Sequence, residues 1–250
     1  MKSVKDRELE TSLLKVLVLG DYGTGKSVFA SSFPQPGYVF DFDNGMVTYE
    51  GGDWLYDTFA ATAAGWVAFE KALPEVEKEI KAGNIKTVVV DSLTSLGDCA
   101  MERAMQLDPK RSVEGGPIWN VHYQIQKNLV APKIRRILSY PCNIVITGHW
   151  KVQQDAQTGS ISSIDLLIVG DLSAKVPGYF DEVYAAGTTG MGSNLRYILR
   201  TAPYGLYKAR SRYSGVMKLL PQVVPNNYNH IMTLIKEARE KVKETKAATN

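Results

Sequence analysis

"LVLGDYGTGKSVFA", residues 17–30, contains Gly20-Asp21-Tyr22-Gly23-Thr24-Gly25-Lys26-Ser27, a full match to the phosphate-loop pattern G-x-x-x-x-G-K-[ST]. Its context supports the match. Leu13–Leu19 ("LLKVLVL") is short, apolar and rich in branched side chains, so it reads as a buried strand, and a helix is expected from about Lys26. In a strand, glycine loop, helix arrangement, Gly20, Gly23 and Gly25 let backbone N–H groups turn inward around a β-phosphate, and the helix amino terminus adds positive potential. Lys26 would bridge the β- and γ-phosphates, and the Ser27 hydroxyl would ligate Mg²⁺. The whole loop, with Asp21, Tyr22 and Thr24, is expected to line a nucleoside triphosphate. The side chains of Tyr22 and Thr24 carry no message readable from the motif.

The 250-residue chain suits one α/β domain with decorations. Its boundaries are expected as a flexible arm over 1–12, a core over 13–228 and an amphipathic helix over 229–250. No run approaches the ~18 apolar residues of a membrane span, and "MKSVKDRELE" lacks the apolar centre of a signal peptide, so no membrane partner and a cytoplasmic location are expected. Cys99 and Cys142 lie far apart and read as buried small apolar residues rather than zinc ligands. The net charge is only +3, but it is unevenly spread. Asp41, Asp43, Glu50, Asp53 and Asp57 crowd one segment. By contrast, 121–154 carries Lys127, Lys133, Arg135, Arg136 and Lys151 with no acid, and 183–236 is likewise acid-free. If these stretches meet on one face they suit a phosphate backbone; otherwise they are solvated edges.

Along the chain, "GYVFDFDNG" (37–45), "IKTVVVDSL" (85–93) and "NIVITGHW" (143–150) read as further strands. Gly65–Ala82 reads as an amphipathic helix despite Pro74, and helices are expected over Leu96–Leu107 and Trp119–Leu138, the latter interrupted or restarted near Pro132. Lys151–Asp165 is polar, and its Thr158-Gly159 could turn a hairpin or leave a loop ordered only by a ligand. Short strands are expected in "FDEVYAAG", "LRYILRTA" and "GLYKARSRYSG", and the closing helix sets Ile231, Leu234, Ile235, Ala238 and Val242 along one core-facing stripe. Strands alternating with helices imply a mostly parallel central sheet flanked by helices on both faces.

A magnesium nucleotide site also needs a carboxylate at a neighbouring strand tip, and "TVVVD" supplies Asp91. A hydrolase further needs a group to polarise water. Asp41 and Asp43 share one side of their strand, and Asp43, nearer the tip, is the candidate base. His149, ending the fourth strand, is a candidate sensor of the γ-phosphate. Tyr49 is a candidate to stack on a base, and Trp119, Tyr123, Trp150, Tyr207 and Tyr213 interleave with cations as a stacking surface for unpaired bases would.

In this order and at these separations, "LVLGDYGTGKS", "YVFDFDNG", "TVVVDSLTSL" and "VITGHW" resemble the RecA-like P-loop ATPase core. With "LIVGDLSAKVPGYFDEVYAAG" and "LYKARSRYSG", the likeness extends to compact phage-encoded RecA-like ATPases of single-strand annealing and recombination, over about Leu14–Pro221. The resemblance implies a RecA-like α/β fold, ATP and Mg²⁺ as cofactors, single-stranded DNA as partner, a homo-oligomeric ring or filament, and a host cytoplasm. The D-x-E strand tip of such cores falls on Asp43, one methylene shorter. The residue coupling the γ-phosphate to the following loop falls on His149, so 151–165 and 108–118 become candidate DNA loops. A K-x-R pair reaching a neighbour's nucleotide falls on Lys208 with Arg210 or on Arg210 with Arg212. The alternatives are a helicase-like motor and a nucleotide-gated DNA-binding scaffold with little turnover. A small-molecule kinase lacks a recognisable arginine-bearing lid.

Overall fold

Runs of branched apolar residues ended by glycine, proline or aspartate produce the strands that carry the loop and its partners. The computed structural model describes residues 13–155, 157–213 and 220–248. The expected arm over 1–12 therefore lies outside the described residues, as do Ser214 and Gly215 of "KARSRYSG". The strands are β1 (Lys15–Leu19), β2 (Gly37–Asp41), β3 (Trp54–Thr58), β4 (Thr87–Asp91), β5 (Asn143–Gly148), β6 (Trp150–Gln154), β7 (Ile161–Leu166), β8 (Glu182–Thr189), β9 (Arg196–Arg200), β10 (Arg210–Ser211) and β11 (Val223–Pro225). One sheet runs β11-β9-β8-β1-β5-β4-β2-β3, with β10 also on β8, and β6 pairs with β7 separately. From β8 to β3 all pairings are parallel. Every strand tip of that stretch thus opens on the same end as the phosphate loop.

The two-residue side-chain period divides the core. Leu17, Leu19, Val88, Val90, Ile144 and Ile146 face α2 (Ala63–Lys81), α3 (Leu93–Leu107) and α4 (Trp119–Leu138), which bury Trp66, Phe69, Leu96, Val130 and Ile134. On the opposite face, Val16, Val18, Val89 and Val145 meet Phe29 of α1 (Lys26–Ser31) and Ile231 and Ile235 of the closing helix (Tyr228–Ala248). This is the expected α/β class, a mostly parallel sheet with helices on both faces. Of the stripe expected on the closing helix, Ile231 and Ile235 are buried and Leu234 packs beside them; the side chains of Ala238 and Val242 lie outside the described residues.

Two details depart from the sequence reading. α4 runs unbroken through Pro132, because Val130, Ile134 and Ile137, all buried, hold both sides of it to the core against a proline cost of ~3 kcal/mol. The edge strand β3, which the sequence reading passed over, pairs with β2 although four of its residues, Leu55, Tyr56, Asp57 and Thr58, are exposed. β6 and β7 pair as a hairpin, one of the two alternatives expected for Lys151–Asp165. Its tip is closed by the Asp155 carboxylate, which accepts from Gln157 N–H (3.0 Å), Thr158 N–H (2.8 Å) and Thr158 Oγ1 (2.9 Å).

Candidate nucleotide site

The phosphate loop takes its shape from Gly23 (φ 70°) and Gly25 (φ 83°), left-handed backbone that glycine adopts freely. A Cβ at Gly25 would also lie 2.7 Å from the Tyr197 ring, so glycine is required there on two counts. Thr24 Oγ1 donates to Asp21 O (2.8 Å) and braces the turn. Lys26 is only 8% exposed, and its ammonium donates to Gly20 O (3.0 Å) and Asp21 O (2.9 Å). Burial lowers its pKa, opposed by the carboxylates of Asp91, Asp43 and Asp21. The amine is thus folded into the loop's own carbonyls, where triphosphate oxygens could replace them.

Asp91 is the hub. It is 4% exposed at the tip of β4. Its Oδ2 accepts from Ser27 Oγ (2.7 Å) and Tyr49 OH (3.3 Å), and its Oδ1 from Thr147 Oγ1 (2.5 Å). Burial pushes its carboxyl pKa up, while Thr147 and Ser27 hold it down. A hydroxyl and a carboxylate in contact are the hard oxygen donors that Mg²⁺ prefers, so Ser27 and Asp91 fit the expected cation. Tyr49, expected to stack on a base, is instead 3% exposed and orients Asp91. Thr147 escaped the sequence reading; its only signal was a threonine inside the apolar run before Gly148-His149.

The pair on β2 divides its labour. Asp41, 1% exposed, accepts from Asp43 N–H (3.2 Å), Gly45 N–H (3.1 Å) and Thr58 Oγ1 (3.1 Å), so it builds the turn that carries Asp43. Asp43 stands just past the tip, its carboxylate accepting from Ser95 Oγ at the start of α3, with Oδ2 3.6 Å from His149 Nε2. Burial alone would raise the Asp43 pKa, but hydrogen bonding to His149, Ser95 and Ser92 prevails and holds it below the usual carboxylate range. On its other side, His149 Nδ1 is 3.5 Å from Lys26 Nζ. An ammonium can only donate, so Nδ1 is the lone-pair nitrogen and Nε2–H faces Asp43. Lys26, Ser27, Asp43, Asp91 and His149 therefore meet at one place.

Lys208, Arg210 and Arg212 do not join them within the chain. β10 pairs with the first residues of β8, and Glu182 of β8 lies beside Val16, so Arg210 and Arg212 flank the end of the sheet remote from the loop, whereas Lys208 reaches back to the β6–β7 hairpin. Lys208 Nζ pairs with Asp165 (2.5 Å) and Arg212 Nη1 with Asp181 (3.0 Å). Arg210 is committed to its own chain, donating to the carbonyls of Phe180 (2.5 Å), Pro177 (3.2 Å) and Gly178 (3.5 Å).

The acid-free stretches find acids from other elements. Lys127 pairs with Asp171, Lys133 with Glu70 and Arg136 with Glu77, and Arg135 lies over the Tyr179 ring. The uninterrupted basic face is therefore not formed by 121–138. Of the aromatics, Trp150 is buried against Tyr207, whereas Trp119 is 66% exposed with its ring 4.5 Å from that of Tyr123. The Lys133–Glu70 and Arg136–Glu77 pairs set α4 parallel to α2, which starts beyond the carboxyl end of β3. Trp119 and the β6–β7 hairpin consequently share the end of the sheet that bears the phosphate loop. No helix among the described residues is long and apolar enough to cross a membrane.

A family profile described as an AAA domain matches residues 12–213. Among solved structures, a KaiC-like protein from the hyperthermophilic archaeon Pyrococcus horikoshii is 14% identical, with 75% of this chain and 77% of that chain covered and a TM-score of 0.42. No curated protein matches the chain.

Proposed function

Because the chain belongs to the AAA domain family, and so to the P-loop ATPases, we propose that it uses ATP to control its grip on single-stranded DNA, in annealing or recombination, as a homo-oligomer. The observation carrying this reading is the convergence of Lys26, Ser27, Asp91, Asp43 and His149 at the end of the sheet that also bears Trp119 and the β6–β7 hairpin. Mg²⁺ held by Ser27 and Asp91 would neutralise phosphate charge. Lys26 would bind the β- and γ-phosphate oxygens, and Asp43 would take the proton of the attacking water. His149 links side-chain chemistry to the hairpin root, since its N–H donates to Thr94 Oγ1 (3.1 Å) and its carbonyl accepts from Leu167 N–H (2.8 Å).

Lys208 and Arg212 are the candidates to reach a neighbour's triphosphate, each exchanging its carboxylate partner, the half-buried Asp165 or the exposed Asp181, for phosphate. Measuring assembly mass with and without a non-hydrolysable ATP analogue and a short single strand tests this. A single-subunit mass in every condition overturns both the assembly and the action in trans.

Turnover measured with and without single-stranded DNA tests the whole reading. Stimulation with DNA retention supports it; neither result would leave a nucleotide-gated scaffold, and directional duplex opening would identify a motor. Trp119→Ala is expected to weaken single-strand binding about tenfold, within the range of one lost base stack, and to leave DNA-free turnover unchanged. Equal binding by the variant and the wild type in a filter or anisotropy titration removes Trp119 from the interface.

A further inference from the structure

Tyr22 occupies a position of the phosphate loop at which the motif specifies nothing, and it is 86% exposed. Its ring nevertheless lies 4.7 Å, centroid to centroid, from the imidazole of His149, tilted by 37°. The backbone of His149 is pinned on both sides, by Thr94 and by Leu167. The ring is not pinned in the same way. Its contacts to Lys26 (3.5 Å) and Asp43 (3.6 Å) give the two ring nitrogens their partners, but they are long and hold the tilt of the ring only loosely. The face of Tyr22 supplies what they lack. The Tyr22 hydroxyl has no hydrogen-bond partner among the described residues, so the contact is one of ring on ring.

We propose that Tyr22 is a positioning residue of the nucleotide site: its ring holds the His149 imidazole with Nδ1 toward Lys26 and Nε2–H toward Asp43, and so aims the Asp43 carboxylate. This inference rests on the ATPase reading above. It also explains why a large, exposed aromatic stands in a loop whose other side chains are small or committed. Loop and sensor strand tip are joined through it before any nucleotide arrives. The Tyr22 backbone N–H, which would face phosphate, is unaffected by the side chain. Losing the ring should therefore alter the chemical step rather than nucleotide affinity.

Tyr22→Ala is expected to lower kcat about fivefold to tenfold, the range of an aromatic pair, with KM and analogue affinity within about twofold. Tyr22→Phe should recover most of that loss. In a His149→Ala background the Tyr22→Ala change should add nothing, as a double-mutant cycle on one interaction requires. Equal kcat for Tyr22→Ala and wild type, or an undiminished loss in the His149→Ala background, overturns the proposal. A readout independent of turnover is the ¹⁵N-histidine spectrum of the full chain, with His149 assigned from the His149→Ala difference. Tyr22→Ala should move or broaden its ring signals and Tyr22→Phe should not; unchanged signals in Tyr22→Ala also overturn it. A wild-type chain without turnover, but with the ring signals responding as expected, would overturn the ATPase reading and leave the Tyr22–His149 contact standing.

Discussion

Lys26→Ala is expected to lower ATP turnover at least about 100-fold and to remove nucleotide-dependent assembly, with the melting temperature little changed. Among the described residues Lys26 is the one cation in contact with the loop carbonyls, and Asp91, Asp43 and Asp21 all act on it. With alanine there, the site would present three carboxylates to a polyanion with no ammonium between them. Arginine should not restore function, because a planar fork cannot replace a point charge already 8% exposed between Gly20 and Asp21. Turnover assays and calorimetry with a non-hydrolysable analogue check both halves of the expectation. Wild-type turnover by Lys26→Ala would mean that the loop does not serve a triphosphate.

Asp43→Asn is the second large effect, about 100-fold in turnover with analogue binding within a few-fold. The asparagine side chain keeps the size of aspartate and one acceptor for Ser95, but it cannot take a proton from water. Because Asp43 is held below the usual carboxylate range, it stays ionised throughout neutral and mildly acidic pH. Turnover limited by this base should therefore hold steady as pH falls and drop only below the ordinary aspartate pKa of about 3.9. Comparable losses from Asp41→Asn and Asp43→Asn would not separate turn-building from chemistry, so folding is followed by circular dichroism in both. Asp41→Asn should lower the melting temperature, since Asp41 is 1% exposed and accepts three hydrogen bonds, and Asp43→Asn should not. Full turnover by Asp43→Asn would favour another base.

Asp43 also bears on the rival of low turnover. Misplacing a catalytic group by about 1 Å can cost about a hundredfold, and aspartate is one methylene shorter than the glutamate of the D-x-E tip it resembles. Ser95 and His149 on either side of the carboxylate fix its direction, which is how a short side chain can still be aimed. A slow but DNA-stimulated rate would fit this arrangement; a rate insensitive to DNA would fit the scaffold.

The phosphate loop, its strand and helix, the Asp91 strand tip and the layered α/β class were legible because each is a local pattern. Glycine spacing sets a turn, branched apolar runs set buried strands, and periods of two and 3.6 set faces. Asp43 and His149 were legible as strand-tip residues, although not as neighbours of one another. What only the tertiary structure decided depends on which distant segments come together. Tyr49 turned from a base-stacking candidate into a partner of Asp91, and Thr147 entered the site, because β2, β4 and β5 lie side by side in parallel. The acid-free run of α4 lost its open charge to Glu70 and Glu77 of α2 and to Asp171, partners far away in sequence. Arg210 was taken up by the carbonyls of the turn before β8. Tyr22, silent in the motif, gained its meaning from a histidine just past the tip of β5. Local pattern is written by steric and hydrophobic preferences of neighbouring residues, whereas charge pairing, hydrogen-bond partners and ring contacts depend on distances that exist only after the sheet has assembled.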